Sequence, residues 1–296
     1  MTGKPIDNRT AGPSVAIIGA GRLATFLAVA LRGASFLISE IVARDSKASV
    51  RTARKLAAKV GARAVTANSA VLDAKLLWFC VPDREIRRAA SALADRLRPA
   101  EKHKCLYAFH SSGALLSGEL DPLRKAGAAI ASVHPLMTFV AGANPSLKDV
   151  PFALEGDAAA IQVARRIVRQ LGGQSFLLPA KRKAAYHAWA TMTSPLFLAF
   201  LVTLEEAARV AGFARDDARR KSLPIIRQTL ANYSRLGPAR SFSGPLIRGD
   251  SEIVATHLRL LKKNSKAREV YATLARVALQ VLPIKNRKGI EKLLQR

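Results

Sequence analysis

A short apolar run that breaks into two glycines constrains this chain more than any other feature. Residues 15–18 are Val-Ala-Ile-Ile, glycines occupy positions 19 and 21, and a helical pattern follows through Leu31. The pattern predicts a buried parallel strand, a tight turn at Gly19 and a helix whose small Ala24 packs against the strand. Gly21 would let a pyrophosphate approach the backbone at the positive end of this helix. A tight turn without any ligand is the alternative interpretation.

The end of the predicted second strand indicates which nucleotide binds. In dinucleotide-binding sheets an acidic residue there accepts hydrogen bonds from the ribose of NAD. Here Arg44 follows the strand, with Ser46 two positions on, and Arg51 or Arg54 adds positive charge. Such residues suit the 2′-phosphate of NADP, so we expect NADP rather than NAD, although the Asp45 carboxylate would favour NAD. The predicted cofactor contacts are Gly19, Ala20, Gly21, Arg22, Leu23, Arg44, Ser46, Val81 and Pro82.

Short apolar runs alternate with helical patterns through the first part of the chain. The longest run, Leu76 to Val81, is followed by Pro82 and by apolar residues at helical spacing. This alternation predicts an α/β fold, a doubly wound parallel sheet with helices on both faces. After Leu178 the patterns are helical, and Pro195 and Pro224 are expected to kink or break their helices. We predict a loose leader at 1–13, a nucleotide-binding domain at 14–178 and an all-helical domain at 179–296.

The chain is strongly basic. Its 48 Lys and Arg residues against 21 Asp and Glu give a net charge of +27, which attracts polyanions of any kind. The basic residues are spread over predicted helical faces, aromatic residues make up 6%, and no base-reading module is recognisable. We therefore favour a solvated basic surface over nucleic-acid binding.

Composition also bears on location and on cysteine chemistry. No uninterrupted apolar run approaches the roughly 18 to 20 residues of a membrane span, and residues 1–13 contain no apolar signal-peptide core. We expect a cytoplasmic protein without a membrane segment. Cys80 and Cys105 lie in apolar strand-like runs, which favours reduced, buried thiols over a disulfide or a metal site.

Several short motifs resemble those of proteins that carry the domain of unknown function 2520. The motifs are Val81-Pro82-Asp83, His110-Ser111-Ser112-Gly113-Ala114, Ser132-Val133-His134-Pro135-Leu136, Tyr186-His187, Gly244-Pro245-Leu246-Ile247-Arg248-Gly249-Asp250 and His257. Such proteins are Rossmann-fold relatives of pyrroline-5-carboxylate reductase, of F420-dependent NADP reductase and of the 6-phosphogluconate and beta-hydroxyacid dehydrogenases. The resemblance runs from about Ser14 to about Leu279. It implies an NADP-binding Rossmann domain, a helical domain of the 6-phosphogluconate dehydrogenase C-terminal kind, and a homodimer paired through the helical domain.

The first long helix departs from those relatives. In the related dehydrogenases it carries a Lys and, four residues on, an Asn, whereas here His187 follows Lys183 at that spacing. Ser194-Pro195 stands where relatives commonly have Ser-Asn. With Thr191 and Ser194, the two residues form one polar stripe at about 100° per residue. We predict His187 as the proton donor, while Lys183 polarises the substrate oxygen or holds an acidic group. A wet outer face of the helix is the alternative.

Further candidate substrate contacts lie at the ends of predicted elements. His110 ends the fifth strand, and the loop Ser111-Ser112-Gly113 follows at the carboxyl end of the sheet, where nicotinamide and substrate would meet. A turn capped by serine hydroxyls is the alternative for this loop. His134 precedes Pro135 and is interpreted either as a substrate contact or as a structural hydrogen-bonding residue. His103 lies in a solvated stretch, and no short spacing of metal ligands is found, so we expect no metal.

Arg248 lies between two predicted helices and is a candidate to hold the carboxylate or phosphate of an anionic substrate. Alternatively, Asp250 is the N-cap of the helix that begins at Ser251, and Arg248 pairs with that carboxylate. The predicted substrate contacts are His110, Ser111, Ser112, Gly113, His134, Ser194 and Arg248, beside the predicted catalytic pair His187 and Lys183.

Two functions are compatible with these features. The first, which we predict, is an NADP-dependent oxidoreductase that transfers a hydride to or from a small carbonyl, hydroxyl or imine substrate in the cleft between two domains, with the cofactor supplying the chemistry. The alternative is a non-catalytic NADP-binding protein that binds nucleic acid or another polyanion through its basic surface.

Overall fold

The computed structural model describes residues 12–97, 106–143 and 145–295. His103, Cys105 and all but the last two residues of the expected leader lie outside these ranges. The described residues divide into two compact units, one that ends at Ala190 and one that begins at Thr191. The first unit extends past the boundary predicted near Leu178, because Lys183 and Tyr186 of the following helix are buried in it.

One mixed sheet organises the first unit. Its strands are β1 Val15–Ile18, β2 Ile38–Ala43, β3 Arg63–Thr66, β4 Leu76–Phe79, β5 Tyr107–His110, β6 Ala129–Pro135, β7 Pro151–Gly156 and β8 Gln174–Leu177. They are ordered β3-β2-β1-β4-β5-β6-β7-β8, and all neighbours are parallel except β6 and β7, which are antiparallel. A parallel neighbour needs a crossover, usually a helix, and the described residues between β6 and β7 form none. The predicted doubly wound sheet is confirmed. The prediction that all its strands are parallel is corrected, because β7 runs antiparallel to β6.

Helices cover both faces of the sheet. Those of the first part of the chain are α1 Arg22–Gly33, α2 Lys47–Val60, α3 Ile86–Ala94, α4 Asp121–Lys125, α5 Ala158–Gln170 and α6 Lys183–Thr191. Successive residues of a strand point to opposite faces, so Val15 and Ile17 pack with α1, α2 and α5, whereas Ala16 and Ile18 pack with α3 and α4. The resulting two-sided core fixes the carboxyl ends of the strands, where the glycine turn and the loop after His110 lie.

The described residues of the second unit are helical, as predicted. The helices are α7 Phe197–Val210, α8 Arg215–Leu236, α9 Pro238–Ser241, α10 Pro245–Arg248, α11 Ser251–Leu260, α12 Ser265–Val281 and α13 Arg287–Leu294. Pro195 lies in a π-helical segment, Met192–Leu196, which interrupts the α-helix as expected. Pro224 lies inside α8, which continues through it. The basic C-terminal stretch forms α13 because Ile290 and Leu294 join the apolar core of this unit.

One helical stretch, Ala180–Val210, meets the requirement for a membrane span by length and composition alone. It has 31 residues and a mean hydropathy of 1.3, and none of its most apolar part is buried. The expectation from uninterrupted apolar runs missed it, because uncharged residues such as Thr191 and Ser194 interrupt the run without making it strongly polar. A single such stretch is a weak indication.

Candidate functional site

The turn after β1 has the geometry that its glycines predict. Gly19 has a φ of +109°, and a Cβ there would lie 2.5 Å from the carbonyl oxygen of Cys80. This backbone therefore requires glycine. Gly21 is the N-cap of α1, and a Cβ there would meet no protein atom within 4 Å. Ala24 is fully buried in the core. The open space at Gly21 thus lies where a phosphate would approach the first N–H groups of α1.

A cleft of about 910 Å³ extends from this turn along the carboxyl ends of β1 to β4. Its volume lies in the range of cofactor sites, roughly 300 to 1,000 Å³. Its walls include most predicted cofactor contacts, namely Gly19, Ala20, Gly21, Arg44, Ser46, Val81 and Pro82. Arg22 and Leu23 instead begin α1. Helix α2 lines the cleft through Ala48, Ser49 and Thr52 and not through Arg51 or Arg54. Two further lining residues, Asn68 and Arg88, were missed by sequence reasoning.

Side chains of opposite charge follow β2 at this cleft. Arg44 and Asp45 are both exposed and both line it. Ser46 is the N-cap of α2, and its hydroxyl accepts a hydrogen bond from the Ser49 N–H at 3.3 Å and donates to the Ser49 hydroxyl at 2.9 Å. The cation that favours NADP and the carboxylate that favours NAD are therefore both present, while Ser46 is partly engaged in starting a helix.

Strand register brings the second group of predicted residues to the same edge of the sheet. His110, at the end of β5, is the partner of Phe79 in β4 and of Ser132 in β6. Phe79 is in turn the partner of Ile18, the residue before the glycine turn. The loop after His110 and the end of β6 therefore follow this cleft along one row of strand ends, as the predicted arrangement requires.

His110 is buried and forms hydrogen bonds through both ring nitrogens. Its Nδ1 accepts from the Ser112 N–H at 3.1 Å, so Nε2 carries the proton and donates to the Leu116 carbonyl at 2.9 Å. Burial lowers the pKa of His110 to about 4, which keeps the ring neutral at pH 7. A fully buried ring with both nitrogens in use holds its own loop, and a substrate contact at His110 stays a prediction.

The two serines of the loop also have protein partners. The Ser111 hydroxyl accepts from the Trp78 indole N–H at 2.9 Å. The Ser112 hydroxyl donates to Asp83 at 2.8 Å and accepts from two backbone N–H groups of the same loop at 3.1 and 2.9 Å. Ser112 thus caps a turn, the alternative that the sequence left open, and sequence reasoning gave Asp83 no role in it.

Lys183 lies beneath this loop. Its side chain is 3% exposed, and its ammonium donates to the Ser132 hydroxyl and lies 3.6 Å from Oε2 of Glu155. Ser117 holds Glu155 through its N–H and its hydroxyl, at 2.7 and 2.8 Å, while the Ser132 hydroxyl donates to the Ser112 carbonyl at 3.1 Å. Burial lowers the pKa of Lys183 to about 8. The wet-face alternative is therefore wrong for Lys183, and the acidic group that it holds belongs to the protein.

Two histidines meet at Gly113. A Cβ on Gly113 would lie 2.8 Å from Nε2 of His134 and 2.8 Å from Cδ2 of His187, so a larger residue there would displace both rings. Nδ1 of His134 lies 2.7 Å from the Tyr186 hydroxyl. Burial first, and then the charge of Lys183, lower the pKa of His134 to about 4. Three predicted residues, Gly113, His134 and His187, are thus brought together, with Tyr186 as a partner that sequence reasoning gave no role.

Profiles of two protein families match the sequence. A Rossmann-like domain matches residues 2–135, and a domain of unknown function, DUF2520, matches residues 150–278. The chain carries a Rossmann-like domain and a DUF2520 domain. The resemblance that the sequence motifs carry is confirmed. Comparison with curated proteins gives no match.

Solved structures share the fold over nearly the whole chain. A candidate NADP oxidoreductase from Bacteroides fragilis is 23% identical with a TM-score of 0.73, over 90% of this chain and 98% of that one. A Thermotoga maritima protein is 23% identical with a TM-score of 0.69, over 94% and 98%. A reductive aminase from Aspergillus terreus, in complex with NADPH and ethyl-5-oxohexanoate, is 12% identical with a TM-score of 0.64, over 95% and 99%. These similarities establish the fold.

Two predicted substrate contacts of the DUF2520 domain lie in the second unit. Ser194 is exposed within the π-helical segment. The Arg248 guanidinium donates to Asp250 at 2.8 Å, and Asp250 occupies the N-cap position of α11 without a capping bond from its side chain. The pairing alternative for Arg248 is therefore what the structure shows. Within the described ranges, no group of His, Cys, Asp and Glu residues is arranged to hold a metal ion.

Proposed function

We propose that the protein is an NADP-dependent oxidoreductase that transfers a hydride to or from a small carbonyl, hydroxyl or imine substrate. The observation that carries this proposal is that one sheet edge holds both the glycine-turn cleft and the histidine pair at Gly113. Open α/β sheets bind their ligands at the carboxyl ends of the strands. The presence of NADPH and a keto ester in a reductase of the same fold supports the assignment.

The residues of the first unit have distinct tasks in this proposal. NADPH, when bound, supplies the hydride. The backbone at Gly21 and the start of α1 bind the pyrophosphate, and Arg44 binds the 2′-phosphate in preference to the NAD ribose that Asp45 would select. When the substrate carbon accepts the hydride, the oxygen or nitrogen bonded to that carbon must accept a proton, and His187 donates this proton. Lys183 acts through Ser132, which it holds against the Ser112 carbonyl under the loop.

Turnover tests this proposal directly. NADPH oxidation is followed with a panel of small ketones, aldehydes and cyclic imines, and NADP reduction with the matching alcohols and amines. We expect His187→Ala to lower kcat by about 10²-fold or more with little change in NADPH affinity. His257→Ala, which removes a histidine of the second unit that pairs with Tyr271, is the matched control and should retain activity. Full turnover in both His187→Ala and Lys183→Ala would contradict these roles.

The same assays separate the proposal from the polyanion-binding alternative. Binding driven by phosphate contacts weakens steeply as salt rises, whereas redox turnover need not. An absence of NADPH turnover across the panel, together with tight, salt-sensitive binding of duplex DNA, would favour the alternative.

The second unit supports a homodimer as part of the proposal. No residue of α7 is buried, and Leu196, Leu198 and Val202 are exposed on or next to it. A second copy of this surface would remove these side chains from water, and stable dimers of this kind bury on the order of 2,000 Å² or more. The apolar character of Ala180–Val210 then reflects pairing and not a membrane.

A further inference from the structure

Tyr186 forms a hydrogen bond with His134, and neither residue has a role in the proposed hydride and proton transfer. Its hydroxyl lies 2.7 Å from Nδ1 of His134, and the two rings meet edge to face with their centroids 5.6 Å apart. Tyr186 is 7% exposed, and its ring packs in an apolar cluster with Ala153, Leu178 and Leu136. The hydrogen bond between Tyr186 and His134 is thus surrounded by apolar side chains on the side of the tyrosine.

These surroundings decide which atom donates the hydrogen bond. If Nδ1 carried the proton, the phenol hydrogen would need a second acceptor within the apolar cluster, and a buried O–H without an acceptor is costly. A phenol is also a good donor to the lone pair of a neutral imidazole. Burial keeps both groups neutral, because it raises the pKa of Tyr186 to about 12 and lowers that of His134 to about 4. Tyr186 therefore donates to Nδ1.

We propose that Tyr186 fixes His134 as the neutral tautomer with its proton on Nε2, so that this N–H donates a hydrogen bond to the substrate atom that accepts the proton. Nε2 is the nitrogen that faces Gly113, where it would lie 2.8 Å from a Cβ. The substrate contact rests on the proposed function, in which the reacting group lies beside this loop. His134 is then the catalytic donor of a hydrogen bond, His187 the proton source, and Tyr186 a positioning residue.

This assignment narrows the substrate class. A neutral N–H binds an atom with a free lone pair, which a carbonyl oxygen or an unprotonated imine nitrogen has and a protonated iminium lacks. The charge of Lys183 acts in the same direction, because it disfavours additional positive charge beside His134 although Glu155 partly neutralises it. The site therefore selects a neutral carbonyl or imine over an iminium cation.

Nitrogen NMR tests the tautomer without cofactor or substrate. The full chain is labelled with ¹⁵N-histidine, long-range ¹H–¹⁵N spectra are recorded near pH 7.5, and the His134 signals are assigned by their loss in His134→Gln. We expect a protonated Nε2 and an unprotonated Nδ1 in the unmodified protein. In Tyr186→Phe the donor to Nδ1 is lost, and both shifts should move towards the average of the two tautomers.

Tyr271→Phe is the matched control, because Tyr271 forms a similar edge-to-face pair with His257 in the second unit, with a 3.1 Å contact to Nδ1. It should leave the His134 signals unchanged. A proton on Nδ1 in the unmodified protein, or unchanged His134 shifts in a folded Tyr186→Phe variant, would overturn the assignment. Should that variant fail to fold, the spectrum of the unmodified protein alone decides. Missing NADPH turnover would instead count against the proposed function, since this spectrum requires neither ligand.

Discussion

Lys183 and Glu155 form an ion pair beneath the loop after β5, with Nζ and Oε2 3.6 Å apart and both side chains almost withdrawn from water. The pair exists because Glu155 in β7 is the register partner of Ser132 in β6, which also accepts a hydrogen bond from the ammonium. A buried charge that loses its partner costs far more than an exposed one. The pair therefore links helix α6 to β7, next to the strand that carries His134.

A double-mutant cycle should reveal this coupling. We expect Lys183→Met and Glu155→Gln each to lower the free energy of unfolding by about 3 to 5 kcal/mol, and the double variant to lose clearly less than the sum, because neither charge is then stranded. Urea unfolding measures the three values. Lys221→Met is the control: it removes one member of the exposed Lys221–Asp217 pair, separated by 3.0 Å, and should cost less than about 0.5 kcal/mol. Additive losses would contradict the buried coupling.

Gly21→Ala should separate cofactor binding from folding. A Cβ at Gly21 meets no protein atom, so we expect an unchanged melting temperature without ligand, while the added methyl group hinders the pyrophosphate. NADPH affinity should fall about tenfold or more, a loss of about 1.4 kcal/mol measured by fluorescence titration. Gly33→Ala, at the other end of the same helix and equally free of neighbours, should bind NADPH normally. Equal NADPH affinities in the two variants would show that the pyrophosphate does not bind at this turn.

Nucleotide preference should depend on Arg44. Ligand binding to the folded state raises the melting temperature according to RT ln(1 + [L]/Kd), so at equal concentration NADPH should stabilise the protein more than NADH. Arg44→Asp should erase that difference. Arg51→Asp makes the same change of charge on a helix whose cleft-lining residues do not include Arg51, and it should preserve the preference. If both nucleotides shift the melting temperature of the unmodified protein equally, Arg44 does not select NADP.

Stability should fall as the pH decreases from 6.5 to about 4. His110 and His134 have folded-state pKa values lowered to about 4, whereas in the unfolded chain they titrate near the ordinary 6.5. The unfolded state therefore binds more protons in this window, and stability that is complete above pH 6.5 is lost as the pH falls, by up to about 1.4 kcal/mol per pH unit for each histidine. Urea midpoints from pH 7.5 to 5 check this. His134→Gln should roughly halve the slope, and a flat profile in the unmodified protein would contradict both shifts.

Dimer formation should depend on the exposed face of α7. Leu198 is 62% exposed within the chain, and we expect Leu198→Arg to convert a dimer to a monomer in light scattering at micromolar concentration. Val71→Arg places the same charge on a residue of the first unit that is 60% exposed, and it should leave the mass unchanged. A monomeric mass for the unmodified protein would rule out the homodimer.

Local chemistry explains why part of this arrangement is predictable from the sequence. The glycine turn, the strands and the helices depend on short patterns, so Gly19, Gly21 and Ala24 lie as the sequence indicates. Gly113 and His134 follow or end strands, and parallel strands bring such ends to one edge, whereas the prediction for His187 rests on its place in the polar stripe of a helix. The locations of these residues can therefore be predicted without knowing their individual side-chain contacts.

Contacts that depend on register or on the direction of a side chain were not predictable. Glu155 reaches Lys183 because β7 runs antiparallel to β6, a reversal that no local pattern marks. His110 and Ser112 lie at the carboxyl ends of the strands as predicted, but their side chains form hydrogen bonds within their own loop. The partners of these side chains depend on the conformation of that loop, which the sequence pattern does not specify. A carboxylate near the end of a buried strand, as at Glu155, is the signal that would have indicated a buried cation nearby.

The position of Lys183 and Tyr186 also determines how the protein can be divided. Sequence patterns place the end of the nucleotide-binding part near Leu178, but a fragment cut there would leave Glu155 without its cation and His134 without its phenol partner. Expression of such a fragment should give an insoluble or poorly folded product, whereas one that ends at Ala190 keeps both residues. The first compact unit thus includes the first turns of a helix that the strand pattern alone assigns to the second.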